Sequence, residues 1–265
     1  FWQQDPMPPP KFPTAASLSD SVINLAALRE EGSAELIEIL EMHPGNKLLV
    51  LDSALGNLLS HILNDASTLF EEKGVTQIIE LGMDLSLLAR GGASLDFRHV
   101  LFFVRPTVEH CRLVAEQVES VRGLRAQGVL NVERFSVYFT PHKSLVCEKM
   151  LEDEGVLELC DLGEFQLNLI PLEKDVLSLE LDASFRDCKL DGDTASLTSV
   201  AQSLAKLQNL FGVVPNVKVL GPLARDVAEM LCRARVEASA GNKGQPGRGA
   251  TGATGGGKHD TRGGD

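Results

Sequence analysis

Four short runs in the first 140 residues are rich in apolar, β-branched and aromatic side chains: 47–51 (KLLVL), 75–81 (VTQIIEL), 100–104 (VLFFV) and 135–139 (FSVYF). Successive side chains of a strand point to opposite faces, so a run this apolar is at home only in a sheet covered on both sides. Helical periodicity separates the runs. Residues 55–63 and 108–121 are amphipathic, and 143–154 ends at Gly155, placed to terminate a helix. Buried strands alternating with helices dictate a parallel sheet joined by right-handed crossovers. The predicted fold class is therefore α/β: a doubly wound parallel sheet in flavodoxin-like layers. Residues 157–161 and 165–170 compete to be its last strand.

Ahead of this unit, 18–42 reads as a helix through Val22, Leu25, Leu28, Leu36, Ile37 and Leu40, with Gly32 as a kink or break. The pattern changes after residue 175. Residues 194–210 form one amphipathic helix with Asp193 as its N-cap, 213–220 is β-rich but split by Pro215, and 223–236 is again helical. The predicted organisation is a disordered Pro-rich leader over 1–17, a first α/β domain over 18–173, and an incomplete second α/β unit over 174–237. A disordered Gly-rich tail follows over 238–265. The chain opens on Phe1, as a fragment or a translated gene model does.

The formal net charge of −12 argues against nucleic acid and against direct electrostatic docking on anionic lipid. No apolar run approaches the roughly 20 residues that span a bilayer, and the first residues lack the apolar core of a secretory signal. The five cysteines include no C-x-x-C pair and are expected as free thiols, without metal.

Open α/β sheets bind ligands at the carboxyl ends of their strands, so those residues should reveal any chemistry. The first strand ends in Asp52-Ser53-Ala54-Leu55-Gly56-Asn57, which is not a dinucleotide fingerprint. The third ends in Arg105-Pro106, and the fourth in Thr140-Pro141-His142-Lys143. No G-x-S-x-G elbow is present. Gly252-x-x-x-x-Gly257-Lys258 copies most of a P-loop, but His259 replaces the hydroxyl that would hold magnesium. The expectation is no cofactor and no catalysis. A nucleotide- or flavin-binding α/β enzyme stays open as the alternative, with His142 the residue on which a catalytic reading would rest.

Longer stretches carry a resemblance. Residues 100–118 (VLFFVRPTVEHCRLVAEQV), 135–156, 165–193 (FQLNLIPLEKDVLSLELDASFRDCKLDGD) and 203–231 resemble the Sec/Munc (SM) family, the SNARE-binding proteins of membrane fusion. The likeness covers about 20–237. The VRP triplet, the helix start at Ser144 to Glu148 and the Leu-Ile-Pro-Leu crossing are similar to the class C vacuolar-sorting branch.

The resemblance implies a non-catalytic protein in which 18–173 is the first SM domain and 174–237 the start of the second. The family's large third domain would begin where this chain stops. It implies SNARE proteins as partners and membership of the HOPS and CORVET tethers through a vacuolar protein sorting-associated protein 16-type subunit. The implied location is cytoplasmic and peripheral on endosomal and vacuolar or lysosomal membranes. In some relatives the SNARE touches the loop after the first strand and the helix beyond it, through a carboxylate and basic side chains. Asp52 keeps the carboxylate, while Asn57 and Asn64 stand where those relatives carry Arg and Lys. These three residues are the SNARE-facing candidates, with capping of the next helix as the competing role for Asp52.

Overall fold

The computed structural model describes residues 17–18, 23–63, 65–84 and 95–241. Asn64, the incomplete P-loop at 252–258, nearly all of the proposed leader and the tail beyond Gly241 lie outside the described residues.

The chain runs α1 (Ala26–Met42), β1 (Lys47–Leu51), α2 (Ser53–Ile62), α3 (Ala66–Glu72), β2 (Val75–Glu80), β3 (Leu95–Val104), α4 (Val108–Ala126), β4 (Leu130–Phe139), α5 (Leu145–Asp153) and β5 (Cys160–Glu164). Among the described residues the five strands form one sheet in the order β2-β1-β3-β4-β5, with every neighbouring pair parallel. The doubly wound α/β fold class is thus the observed one. Alternate residues serve opposite cores, as the apolar runs demanded. Leu48, Val50, Val100, Phe102, Val104, Val137 and Phe139 pack with α4 and α5, against Cys111, Val114, Val118, Cys147 and Leu151. Leu49, Leu51, Leu101, Phe103 and Tyr138 pack on the other face with Leu36, Leu40, Leu55, Leu59 and Phe70.

Local chemistry sets the element ends. The 18–42 helix begins only at Ala26, where the Asn24 side chain accepts a hydrogen bond from the Ala26 N–H at 3.1 Å. Gly32 does not divide it. It is buried where α1 approaches Leu167 and Ile62, and a Cβ there would lie 3.6–3.7 Å from them. Helix α5 ends as expected. Gly155 takes φ +74°, its N–H bonds to Glu152 O, and Val156 N–H bonds to Leu151 O, which together close the helix in a Schellman motif. Cys111 and Cys147, 36 positions apart in sequence, meet between α4 and α5 as free thiols.

The last strand is β5, which takes Cys160 and Asp161 from the 157–161 candidate and nothing from 165–170. Residues 165–169 are not a strand. Phe165, Leu167, Asn168 and Leu169 are all buried, and the Gln166 N–H is bonded by Glu35 at 2.8 Å. A segment buried on every side cannot sit at the rim of a sheet, and here it crosses to the α1–α2 layer instead. It leads into a two-residue antiparallel ribbon, β6 (Ile170–Pro171) with β7 (Leu177–Ser178).

Helix α6 (Ala195–Phe211) and helix α7 (Pro222–Gly241) follow. The N-cap position falls to Thr194, which makes no side-chain capping bond, and Asp193, expected there, stands one residue earlier with its carboxylate accepting from the Ala195 N–H at 2.8 Å. The β-rich expectation at 213–220 is reduced to one parallel bridge between Val213 and Ser17, since Pro215 lacks a donor and no other strand of the described residues lies alongside. Helix α7 extends through 238–241, which the sequence had assigned to the tail. A third core joins the two ends of this arrangement: Leu25 and Leu28 from the start of the chain with Leu169 and Phe211. Leu207 packs against it, while Leu204, Val217 and Val219 remain exposed.

Gly163 illustrates how tightly the sheet rim is built. A Cβ at this position would lie 2.5 Å from Tyr138 Cε1 and 2.7 Å from Cδ1. The tyrosine ring has little room to yield: it stacks on Phe103 with centroids 5.2 Å apart, and its hydroxyl shares a 2.7 Å hydrogen bond with His43 Nε2. Gly163→Ala should therefore cost about 2 kcal/mol in urea unfolding, as overpacking does. The same change made in a Tyr138→Ala background should be nearly neutral. Equal costs in both backgrounds would show that the ring is not the obstacle.

Candidate functional site

The sheet order reverses direction between β1 and β3, and in this fold the crevice beyond those two strands is the usual ligand position. Asp52 follows β1 and Arg105 follows β3, so the topology brings both to that crevice. Asp52 is 2% exposed. Its Oδ1 accepts from the Ala54 N–H at 3.1 Å, which caps α2, and from Arg105 Nη2 at 3.2 Å. Its Oδ2 accepts from Arg105 Nε at 2.5 Å and lies 3.3 Å from His110 Nε2. The pair is bidentate, the strong geometry for a guanidinium on a carboxylate.

His110 is set by the first turn of α4. The Thr107 hydroxyl oxygen accepts from the His110 backbone N–H at 3.2 Å and lies 2.6 Å from His110 Nδ1. Ionised Asp52 can only accept, so a neutral imidazole carries its proton on Nε2, facing that carboxylate, and its Nδ1 accepts from the Thr107 hydroxyl. Arg105 also reaches Asp182 Oδ2 at 3.4 Å, across to the segment after β7.

Burial alone would push the Asp52 carboxyl up. The Arg105 hydrogen bonds, the charge of His110 and the Ala54 N–H together outweigh it and hold the group below the usual carboxylate range. Hydrogen bonding to Asp52 in turn raises Arg105.

Asp52 thus caps α2 and anchors an ion pair with Arg105 from a buried position. Asn57 is exposed on α2, one turn beyond that cap. Asn64, the third candidate, lies outside the described residues. His142 sits 3.7 Å from Glu164, whose other oxygen accepts from the Lys143 N–H at 3.0 Å. Sequence reasoning missed Arg105, His110 and Asp182 as a group. The available signal was a charged residue directly after each of two buried strands, meaningful only once β1 and β3 are known to be neighbours. Among the described residues no three His, Cys, Asp or Glu side chains are arranged to hold a metal ion.

A second titratable cluster lies between α1 and the sheet. The rings of His43 and His99 are 5.1 Å apart, and His43 is bonded to Tyr138. Burial lowers the pKa of both histidines, and the charge of Lys47 adds to it. Burial, reinforced by Arg105 and opposed by Asp52, lowers that of His110 as well. The folded chain therefore protonates these groups at a lower pH than the unfolded chain, which does so near pH ~6.5. Their stabilisation is present above that pH and is lost as pH falls below it. The urea midpoint should drop between about pH 7.5 and 5.5, and His99→Gln should flatten the slope. An unchanged slope in that variant would remove His99 from the effect.

Residues 47–251 match the Sec1 family, and the chain belongs to it. Of the two readings the sequence left open, the comparisons bear out the family resemblance and not the nucleotide- or flavin-binding enzyme. Among similar proteins, vacuolar protein sorting-associated protein 33A of Rattus norvegicus is 35% identical over 227 residues, which is 84% of this chain and 35% of the relative. The vacuolar protein-sorting-associated protein 33 homolog of Arabidopsis thaliana is 31% identical over 221 residues, 83% of this chain and 35% of the relative. The chain thus spans about a third of the length of these relatives.

Two solved structures share the fold. The Unc18–syntaxin 1 complex from Monosiga brevicollis aligns with TM-score 0.55 at 17% identity, over 81% of this chain and 37% of that one. The SM protein Vps45 in complex with the Qa SNARE Tlg2 aligns at 0.50 and 15% identity, over 87% and 38%. No helix among the described residues is long and apolar enough to cross a membrane.

Proposed function

We propose that this chain is a SNARE-binding component of vesicle-mediated transport, in the vacuolar-sorting branch of its family. The observation that carries the reading is the Sec1 match across residues 47–251, on a fold shared with proteins solved in complex with syntaxin 1 and with Tlg2. The relatives' names support vacuolar sorting as the pathway. In this reading the protein acts in docking and fusion at endosomes and at the vacuole or lysosome. It is cytoplasmic, peripheral on those membranes, and a subunit of the HOPS and CORVET tethers, which it joins through a vacuolar protein sorting-associated protein 16-type subunit. Asn57 on the open face of α2 remains a partner-facing candidate, whereas Asp52 acts from within.

Affinity depends on a few buried anchors more than on area. The solvent side of α2 offers Ser53, Asn57, Ser60 and His61, none of them an aromatic anchor. Binding of an isolated Qa-type SNARE cytoplasmic segment is therefore expected on the order of 100 μM, or about −5.5 kcal/mol. Calorimetry with that segment checks it. No saturable heat up to about 1 mM, or −4.1 kcal/mol, would refute SNARE binding by this chain.

A further inference from the structure

We propose that Arg105 is a preorganised receptor for a carboxylate on a partner's acidic segment, and that Asp182 occupies this receptor when the partner is absent. The inference deepens the SNARE-binding reading and rests on it for the class of partner.

Arginine makes a strong anchor when its side chain is already immobilised, because binding then loses little rotamer freedom. Arg105 meets that condition. Buried Asp52 holds Nε at 2.5 Å and Nη2 at 3.2 Å, which fixes the guanidinium plane. A guanidinium carries five N–H donors, so the Asp52 pair leaves the Nη1 edge to other acceptors. That edge meets Asp182 Oδ2 at 3.4 Å, well beyond the roughly 2.7–2.9 Å of a good charged hydrogen bond. The Arg105 side chain is 32% exposed and that of Asp182 is 70% exposed, so the second contact is held in water by a side chain free to move away.

Position adds to this. Arg105 lies at the reversal point of the strand order, beside the first turns of α2 and α4, whose positive ends favour an anion. The ligand chemistry is a carboxylate and not a phosphate. The Asp52 carboxylate stands directly behind the guanidinium and would repel a dianion more than a monoanion, and the side chain already seated there is itself an aspartate.

The test titrates the chain with hexaglutamate, with tripolyphosphate and with a Qa-type SNARE cytoplasmic segment. Asp182→Ala removes the competing carboxylate. A weak exposed pair contributes about 0.2–1 kcal/mol, so this variant should bind hexaglutamate and the SNARE segment up to about 5-fold more tightly than the wild type. Arg105→Gln should abolish saturable hexaglutamate binding. Because that change alone strands a buried carboxylate, it is paired with Asp52→Asn, and the double variant's circular dichroism verifies the fold. The inference is overturned if Asp182→Ala leaves hexaglutamate binding unchanged or weaker, if the folded double variant binds it like the wild type, or if tripolyphosphate binds as tightly. Wild-type SNARE binding that no variant alters overturns this inference and leaves the SNARE reading standing. Hexaglutamate binding that follows the expected pattern without any SNARE binding overturns the SNARE reading alone.

Discussion

Replacing Asp52 with alanine should destabilise the protein by about 3 kcal/mol, at the lower end of what breaking a buried pair costs. The substitution leaves the Arg105 guanidinium and the His110 imidazole without their shared acceptor and removes the α2 cap. The value falls at the low end because Arg105 is one-third exposed and can turn to Asp182 or to water. Asp52→Asn keeps an oxygen for the Ala54 N–H and should cost less than half as much, since asparagine caps about as well as aspartate. Urea unfolding of the three proteins measures both. A cost below about 1 kcal/mol for the alanine variant would show that Arg105 resolvates freely and that the pair is not a fixed part of the fold. This expectation also governs how the residue is read. A loss of SNARE binding in Asp52→Ala would report a disturbed crevice, not a lost contact, because the carboxylate is 2% exposed.

Phe165→Ala should be larger still, about 4 kcal/mol, from lost burial plus the cavity left behind. The ring is 1% exposed and meets Phe103 edge to face, with centroids 5.7 Å apart at 87°. It also begins the irregular stretch that carries Leu167, Leu169 and Ile170 into the α1–α2 layer. The one backbone bond of that stretch to the sheet is from the Phe165 N–H to Phe139 O at 2.9 Å, so beyond that residue the stretch depends mainly on its side chains. The Gln166 amide, bonded to Glu35, should lose hydrogen-exchange protection beyond the global change. Protection that falls only in step with global stability would show that the stretch is held by its flanks.

What the sequence revealed follows from which surfaces are buried. Central strands β1 and β3 were legible because their apolar residues have no other place in a folded chain. The first halves of β3 and β4 were not. Residues 95–98 and 130–134 alternate polar and apolar, and they pair with each other beyond the end of β1, where one face meets water. Strand β5 was legible only in its first two residues, for a related reason. CDLGE lies at the rim of the sheet, where only one edge is paired and no apolar run is required. In the site, Asp52 was legible as a cap because capping is local. Its pairing with Arg105 spans 53 residues and depends on strand order, which no spacing rule encodes.

The third core has a consequence for biosynthesis. Leu25 and Leu28 leave the ribosome early, but Phe211, which covers them, is made some 180 residues later. At about 5–20 residues per second the outer stripe of α1 waits roughly 10–40 s for its partner, the last roughly 2–9 s of it after Glu164 has completed the sheet. During that interval the nascent chain presents an apolar helix face, the kind of surface that holdase chaperones recognise. Translation speed between α1 and α6 therefore sets how long the chain is exposed to wrong partners before it meets its own.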